Sequence, residues 1–276
     1  MSDIIKILPA EVSNKIAAGE VVQRPASVVK ELLENSIDAN STKIKLIVKD
    51  SGKTLIQVVD NGDGMTKNDM KMSFMKHATS KIKDIDDVFS ITSMGFRGEA
   101  LASISSISNI EMISKKKGSD KTNIISLEGD NLVIKESVFS EEGTSIKVMN
   151  LFYNVPARRN FLKSDFVELR HIIDSFNRIA LSYPDIEFNL INNDEELFYL
   201  KKNNLRKRIS SIFGRKIDEN LIPLNEKTSL AKISGFILKP QLSKKSRTNQ
   251  FLFVNKRYIK SQFLNHSINN AYDGLL

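Results

Sequence analysis

Apolar residues at helical spacing mark the first well-defined element of the chain. After Pro25, the apolar side chains that recur on one face of such a helix are Val28, Leu32, Leu33 and Ile37. Proline is tolerated in the first turn of a helix, because its missing N–H would have no partner there. The pattern therefore predicts a helix from Pro25 to about Ala39.

The next stretch changes from helical spacing to alternation. Ile44, Leu46 and Val48 alternate with lysines, which is typical of a half-buried strand. A second strand over 55–59 runs into the sequence Asp-Asn-Gly-Asp-Gly at 60–64, which is a turn signal. Two neighbouring strands are therefore predicted directly after the first helix.

The rest of the chain is predicted to mix helices and strands, which makes the protein α+β. Before residue 151 the predicted elements are a helix over 66–76, a small-residue helix over 99–107 and an antiparallel meander over 109–151. Beyond it they are a long helix over 165–181, strands near 186–191, 221–223, 229–238 and 251–254, and helices near 205–213 and 262–270. A second α+β domain is predicted from about residue 205, and the last helical pattern, which stops at Leu276, indicates that this domain is truncated.

Composition removes several classes of protein. Hydrophobic residues make up 41% and charged residues 27% of the chain, as expected of a folded globular protein. No run of apolar residues is long enough to span a membrane, and the N-terminus lacks the pattern of a secretory signal, so a cytoplasmic location is expected. The absence of cysteine excludes disulfides, thiolate zinc sites and a cysteine nucleophile.

Charge is distributed unevenly along the chain. Residues 201–276 contain 16 Lys or Arg and 4 Asp or Glu, whereas residues 1–200 contain 25 and 29. The excess of positive charge therefore lies in the last quarter of the chain. Such asymmetry is typical of a surface that faces a polyanion, although a lysine-rich solubilising surface would give the same count.

The first helix carries a candidate chemical face. Glu31, Asn35 and Asp38 follow the spacing i, i+4, i+7 and should share one side of the helix, whereas Glu34 projects elsewhere. Taken alone, this face is also compatible with ordinary solvation. Its interpretation therefore depends on the motifs that follow.

Two glycine-containing motifs and a lysine add to that face. Asp60 ends a strand and can accept a hydrogen bond from an exocyclic amine, and the glycines at 62 and 64 let backbone approach a flat ring or a phosphate. The sequence Gly-Phe-Arg-Gly at 95–98 precedes a predicted helix, whose N-terminus can hold a phosphate. Lys81, in His-Ala-Thr-Ser-Lys, is a point charge suited to phosphate. The three motifs together indicate a nucleotide site.

In their order and spacing, these motifs resemble the ATPase superfamily of gyrase B subunits, heat-shock chaperones, histidine kinases and MutL. The wording is most similar to the MutL family of DNA mismatch repair proteins, in segments that begin at Ile16, Arg24, Glu34, Asp60, His77, Gly95, Gly143 and Asn154. The resemblance runs from about Ile7 to the C-terminus and weakens after Leu181. It implies a Bergerat-type ATP-binding fold, a two-layer sandwich of a mixed, mainly antiparallel sheet covered by helices, plus a second, smaller α/β domain.

The resemblance also implies roles for individual residues. Glu31 would be the general base, Asn35 would hold Mg²⁺, and Asp60 would read the adenine amino group of ATP. The remaining residues that it assigns to the cofactor are Asp38, Ala39, Gly62, Gly64, Met65, Thr79, Ser80, Lys81, Gly95, Phe96, Arg97, Gly98, Glu99, Ala100, Leu101 and Thr144. The ATP-binding domain would cover residues 1–204 and the second domain residues 205–276. Residues 66–100 would form a lid over ATP, and turnover is expected to be slow.

Partners follow from the same resemblance. ATP binding would drive pairing of two copies, with residues 1–20 crossing to the partner through Ile4, Ile5, Ile7 and Leu8; a strand or staple within the same chain is the local alternative. A mismatch-recognition protein and a downstream nuclease or helicase would also bind, and no membrane is involved. DNA would be bound through its backbone, largely independent of sequence, by Lys244, Lys245, Arg247, Lys256, Arg257 and Lys260. Further basic candidates for phosphate contact are Arg206, Lys207, Arg208, Arg215 and Lys216.

Two departures from the family pattern affect these expectations. The family usually has Asn-Gly-Arg where this chain has Asn255-Lys-Arg, so a turn glycine is replaced. The family also has a later segment whose lysine reaches the γ-phosphate, and this chain ends before it, so hydrolysis is expected to be weaker than in the whole protein, or absent. Two other functions stay open: an ATP-binding chaperone or topoisomerase-type subunit, and a DNA-binding module that no longer hydrolyses ATP.

Overall fold

The computed structural model describes residues 10–79, 81, 94–95, 98–129, 131–137, 141–229, 231–242 and 249–272, apart from the side chains of 10–14 and 17. The chain divides into two compact units. Unit 1 comprises residues 1–176 and 188–199, and unit 2 comprises residues 177–187 and 200–276. In the part of the chain that the structure describes, no helix is both long and apolar enough to cross a membrane.

Unit 1 is built on an eight-stranded sheet. Its strands are β1 (Lys43–Lys49), β2 (Leu55–Asp60), β3 (Asn109–Lys115), β4 (Thr122–Glu128), β5 (Asn131–Ser137), β6 (Gly143–Met149), β7 (Glu187–Asn192) and β8 (Glu195–Leu200). They lie in the order β5-β4-β3-β6-β2-β1-β7-β8. Five of the neighbouring pairs are antiparallel: β1–β2, β2–β6, β3–β6, β3–β4 and β4–β5. The predicted α+β fold with a mixed, mainly antiparallel sheet is confirmed.

The prediction of a simple meander over 109–151 is wrong in one respect. β3, β4 and β5 do follow one another as neighbours, but β6 does not pair with β5. It inserts between β3 and β2, where it completes the centre of the sheet. Its short-range pattern is that of any alternating strand, and only pairing with β2, far away in sequence, determines its position.

The described helices of unit 1 cover this sheet or continue from it. They are α1 (Ala10–Val21), α2 (Pro25–Asp38), α3 (Lys67–Met72), α4 (Ala100–Ser105), α5 (Pro156–Phe161) and α6 (Asp165–Ser182), the last of which continues into unit 2. α2 packs on β1 and β2, and Val28, Leu32 and Leu33 on its apolar face are buried. Burial of each such side chain contributes about 1.5–3 kcal/mol, so this apolar face fixes the orientation of the polar face of α2.

One helix is shorter than predicted. α3 ends at Met72 instead of continuing to residue 76. Thr66 caps its start by accepting a hydrogen bond from the Asp69 N–H at 3.2 Å. Ser73 folds its hydroxyl back onto the Met70 carbonyl at 2.8 Å, and residues 73–77 form turns instead of helix. A side-chain hydroxyl that bonds to nearby backbone competes with helix continuation in this way.

Unit 2 holds the remaining elements. They are α7 (Leu205–Phe213), α8 (Arg215–Asp218), β9 (Leu221–Lys227), β10 (Lys232–Leu238), β11 (Leu252–Val254), β12 (Arg257–Ile259) and α9 (Gln262–Ala271). β9 pairs with β10 and β11 pairs with β12, both antiparallel. Rings of Phe213, Phe251 and Tyr258 form a chain of contacts, with centroids 5.6 and 6.4 Å apart. The domain limits of 1–204 and 205–276 stay a prediction.

Candidate functional site

Asp60 lies at the end of β2, where three neutral groups donate to its carboxylate. Oδ2 accepts from the Ser36 hydroxyl at 2.7 Å, and Oδ1 accepts from the Gly62 N–H at 2.9 Å and the Thr144 N–H at 3.3 Å. The register of β2 and β6 sets Thr144 directly opposite Asp60. Burial raises the pKa of Asp60, while these hydrogen bonds lower it. The carboxylate is thus held rigidly by groups that do not neutralise it.

Glycines let the turn after Asp60 pack closely against its neighbours. A Cβ on Gly62 would lie 2.5 Å from the Ala39 carbonyl oxygen at the end of α2. Gly64 has φ +63°, and a Cβ there would lie 2.0 Å from the carbonyl oxygen of Lys115. Both positions therefore exclude any other residue for reasons of backbone contact. Their expected part in making room for a flat ring stays a prediction.

Asn35 and Asp38 face the same cation. The Lys81 ammonium lies 2.5 Å from Asp38 Oδ2 and 3.4 Å from Asn35 Oδ1. The two acceptors are three residues apart on α2, so the helix presents both on one side. Their oxygens therefore converge on a position where a positive charge is stabilised.

Asp38 also accepts hydrogen bonds from the backbone of a third segment, Met94–Gly95. Its carboxylate accepts from the Met94 N–H at 2.9 Å and the Gly95 N–H at 3.1 Å. Among the described residues, a Cβ on Gly95 would meet Lys81 Nζ at 3.5 Å and Asn35 Oδ1 at 3.9 Å, which are ordinary contacts. Three segments that are far apart in sequence, α2, Lys81 and Met94–Gly95, thus meet at one carboxylate.

The structure also gives local contacts for several other residues predicted for the cofactor. The Met65 N–H donates to Ser114 Oγ at 2.9 Å, and the Lys81 N–H donates to Thr79 Oγ1 at 3.1 Å. Glu99 pairs with His77 at 3.1 Å, and the half-exposed Ala100 and Leu101 begin α4. Gly98 has φ +62° and packs against the backbone of Ala78. Ser80, Phe96, Arg97 and residues 82–93 of the predicted lid over 66–100 lie outside the described residues.

Glu31, the predicted base, contacts a lysine on its own helix. Lys30 Nζ lies 2.9 Å from Glu31 Oε1 and 2.9 Å from Glu34 Oε2. Glu34 was expected to project away from the face that carries Glu31. It is buried and shares Lys30 with Glu31. Burial raises the pKa of Glu34, and the Lys30 ammonium lowers it. The acidic face is therefore an ion-paired cluster and not an open row of acids.

Three residues of this arrangement were not identified from the sequence. Ser36 donates to Asp60, Ser114 contacts Thr144 Oγ1 at 2.9 Å, and Lys30 joins Glu31 to Glu34. A signal did exist for Ser36, since a serine one turn after Leu32 interrupts the apolar face of α2. A polar side chain at such a position needs a buried partner, and Asp60 is that partner.

The basic residues of unit 2 divide into two kinds. Arg208 is 1% exposed and donates to the carbonyls of Pro184, Ile186 and Lys201, so its prediction as a phosphate contact is wrong. Arg206 pairs with Asp218 at 2.8 Å and Arg215 with Glu219 at 2.9 Å. Lys256 and Lys260 are exposed and Arg257 is half-buried, near or in the β11–β12 hairpin. Lys244, Lys245 and Arg247 lie outside the described residues.

The departure at Asn255-Lys256 leaves the hairpin intact. Both residues have positive φ, 48° and 66°, as a two-residue type I′ turn requires. The Lys256 ammonium lies 4.8 Å from the Tyr183 ring centroid, and its carbonyl accepts a hydrogen bond from the Ser182 hydroxyl. These contacts hold a lysine in a conformation that normally favours glycine.

Comparison with protein families finds two matches. Residues 23–150 match the family described as histidine kinase-, DNA gyrase B-, and HSP90-like ATPase. Residues 209–276 match the family described as DNA mismatch repair protein, C-terminal domain. The first match contains α2, Asp60, Lys81 and Thr144, and the second contains the basic hairpin.

Whole-chain comparison gives similar relatives. The DNA mismatch repair protein MutL of Christiangramia forsetii is 56% identical over 276 residues, and that of Flavobacterium psychrophilum is 55% identical. Both alignments cover 100% of this chain and 45% of the relative, so the chain spans under half the length of these proteins.

Solved structures agree with the relatives. The Aquifex aeolicus MutL ATPase domain complexed with ADP superposes with a TM-score of 0.68 at 29% identity, covering 91% of this chain and 88% of that one. The N-terminal domain of a DNA repair protein gives 0.81 at 27% identity, covering 97% and 85%.

Proposed function

The chain belongs to the MutL family of DNA mismatch repair proteins, and we propose that it binds ATP with Mg²⁺ and hydrolyses the ATP slowly. The observation that carries the proposal is that neighbouring residues of α2 serve both centres: Ser36 donates to Asp60, and Asn35 lies 3.4 Å from the Lys81 ammonium. Support comes from the match to an ATPase family over residues 23–150 and from the similar MutL structure that is complexed with ADP.

Asp60 suits the adenine end of the ligand. Its carboxylate accepts hydrogen bonds only from neutral donors among those described above, so it keeps a negative charge with which to accept a further N–H. Adenine offers such a donor in its exocyclic amine, whereas guanine has a carbonyl oxygen at that position. Asp60 would therefore select ATP over GTP.

Asn35 and Lys81 suit the phosphate end. An amide oxygen is a fitting ligand for Mg²⁺, which keeps several waters and takes few protein ligands. The Lys81 ammonium at Asn35 already indicates that a cation is stabilised there. When bound, Mg²⁺ would neutralise phosphate charge.

The remaining roles belong to the chain's own side chains. Glu31 would orient the attacking water and accept its proton, one turn of α2 from Asn35. Lys81 would exchange its bond with Asp38 for a phosphate oxygen, which would also free Asp38. α4 has only six residues, so phosphate binding would depend on individual N–H groups more than on a helix dipole.

Wider roles follow from family membership. ATP binding would order residues 66–100 over the nucleotide and pair two copies through residues 1–20, which overlap the helix α1 (Ala10–Val21). The basic residues of unit 2, with Lys256, Arg257 and Lys260 among them, would contact DNA phosphates. A mismatch-recognition protein and a downstream nuclease or helicase would respond to the closed state, in the bacterial cytoplasm.

The test is the substitution Glu31→Ala. Turnover of ATP should fall by at least about a hundredfold, because general-base catalysis is typically worth that much. Affinity for a non-hydrolysable ATP analogue with Mg²⁺ should change little. The control is Glu128→Ala, which removes an exposed glutamate at the end of β4. Unchanged turnover in Glu31→Ala would remove Glu31 as the base.

A further inference from the structure

Lys30 links two carboxylates of unequal exposure on α2. Its ammonium lies 2.9 Å from both Glu31 Oε1 and Glu34 Oε2. The side chain of Glu34 is 9% exposed, that of Glu31 27% and that of Lys30 49%. One partner of the lysine is therefore fixed in the protein interior, and the other borders solvent.

Helix geometry explains this arrangement. Lys30 and Glu34 are four residues apart and lie above one another on the helix, which brings their charged groups into contact. Glu31 is the next residue around the helix, and the long lysine stem lets the ammonium lie between the two acids. Because Glu34 is buried, leaving its charge without a partner would be costly. Glu34 therefore retains Lys30 in this position.

Charge balance points the same way. Burial lowers the pKa of Lys30, but the two carboxylates raise it by more, and the net shift is upward. The ammonium is thus stabilised by both acids at once.

We propose that Lys30 is a positioning residue for hydrolysis, with Glu34 as its buried anchor: Glu34 fixes Lys30, and Lys30 fixes the carboxylate of Glu31. The inference rests on the proposed function, in which Glu31 acts on water. A carboxylate on a flexible side chain has several rotamers, and a second contact restricts it to one. Correct orientation of a reacting group contributes substantially to rate. Neither Lys30 nor Glu34 needs to touch the nucleotide.

Kinetics of four variants test this chain of contacts. Lys30→Met and Glu34→Gln should each lower kcat by roughly tenfold, while KM for ATP stays within about twofold. Lys30→Arg should recover most of the activity, since it restores the ion pairs. The double variant Lys30→Met/Glu34→Gln should be no slower than Lys30→Met alone, because both act through one contact. A purely structural role would instead lower stability without this pattern in kcat.

A second measurement uses the protein without nucleotide. Amine-reactive labelling read by mass spectrometry should modify Lys30 slowly, because a raised pKa leaves less of the reactive neutral amine. In Glu34→Gln the rate at Lys30 should rise several-fold, while the exposed Lys45 on β1 should label at an unchanged rate as internal control. Equal labelling of Lys30 in the two proteins would show that Glu34 does not hold it.

The outcomes separate this inference from the proposed function. If Glu31→Ala abolishes turnover but Lys30→Met leaves kcat unchanged, the positioning role is wrong and the ATPase proposal stands. If Glu31→Ala itself leaves turnover unchanged, Glu31 is not the base and the positioning role is wrong with it, whereas absence of ATP turnover in the parent protein would contradict the ATPase proposal. Loss of kcat in Lys30→Met with full recovery in Lys30→Arg and a faster label in Glu34→Gln supports the role.

Discussion

Asp60 in unit 1 and Arg208 in unit 2 are both charged side chains largely withdrawn from solvent, yet they serve different ends. The donors to Asp60 are a hydroxyl and two backbone N–H groups, which orient the carboxylate and leave its charge in place. Arg208 directs its guanidinium to the carbonyls of Pro184, Ile186 and Lys201. A buried charge alone therefore does not identify a site, and the kind of partner distinguishes the two.

The difference also has an electrostatic side. Burial lowers the pKa of Arg208 to about 10, so this guanidinium is still charged at neutral pH. Its hydrogen bonds to backbone join the segments around residues 184–186 and 201, and the bond to the Ile186 carbonyl is buried. Arg208 thus has a structural role, because it bonds to backbone, whereas the carboxylate of Asp60 can still accept a hydrogen bond from a ligand. Substitutions at the two positions should affect different properties.

The largest effect is expected from Arg208→Met. The variant keeps an apolar side chain of similar length but removes the charged donor to three carbonyls, among them the buried bond to Ile186, which should lower the free energy of unfolding by about 3 kcal/mol. Urea unfolding and hydrogen exchange of α7 measure this loss, and ATP affinity should not change. Arg215→Met is the matched control, because Arg215 is 90% exposed and its ion pair contributes little. An equal loss in the two variants would contradict the structural role of Arg208.

Asp60→Asn should instead change ATP affinity, and the change in free energy should be smaller than the loss of stability in Arg208→Met. ATP affinity should fall by about 2 kcal/mol, or roughly thirtyfold, because the amide replaces a charged acceptor with a neutral one. The preference for ATP over GTP should narrow in the same titration by isothermal calorimetry. Equal affinity of the parent protein for ATP and GTP would contradict the adenine role of Asp60.

The same pair of proteins makes a prediction about pH. Burial raises the pKa of Asp60 above its ordinary value of 3.8, so the folded state retains this proton after the unfolded state has lost it. Ionisation of Asp60 then costs stability as pH rises through the folded pKa. Asparagine does not ionise, so the stability of Asp60→Asn relative to the parent should increase over that range. Urea unfolding from below pH 3.8 to neutral pH measures the difference.

The local sequence pattern was sufficient to predict α2 and β2, the two elements that carry most of the candidate site. The predicted helix from Pro25 and the strand before Asp60 agree with α2 and β2, because their periodicity and their start and stop residues lie within the element itself. β8 and the helix α1 were not predicted, and β6 was given the wrong neighbour. Strand order depends on pairing between residues distant in sequence, which no short pattern encodes.

The same distinction applies to the candidate site. Asn35, Asp38, Asp60 and Lys81 stand in recognisable motifs, and the structure brings the first two to Lys81. Lys30 belongs to no motif with a chemical meaning, since a lysine beside two glutamates is common on exposed helices. Only the burial of Glu34 distinguishes it, and burial is a property of the packed unit. Residues that share a site could be predicted from the sequence where a motif existed. Which charged groups are buried and paired, as Glu34 is with Lys30, could not.

The smallest effect is expected at Lys256, which offers a positive charge to DNA and also adopts a positive φ in the turn between β11 and β12. Lys256→Ala keeps a side chain at φ +66° and loses the contact with Tyr183, whereas Lys256→Gly loses the contact but removes the strain. The alanine variant should therefore be less stable than the glycine variant by about 1 kcal/mol. Both remove one cation, so both should reduce the salt dependence of DNA affinity by about one phosphate contact. If the two variants differ in DNA affinity at constant salt as much as they differ in stability, then turn geometry and not charge presents this hairpin to DNA.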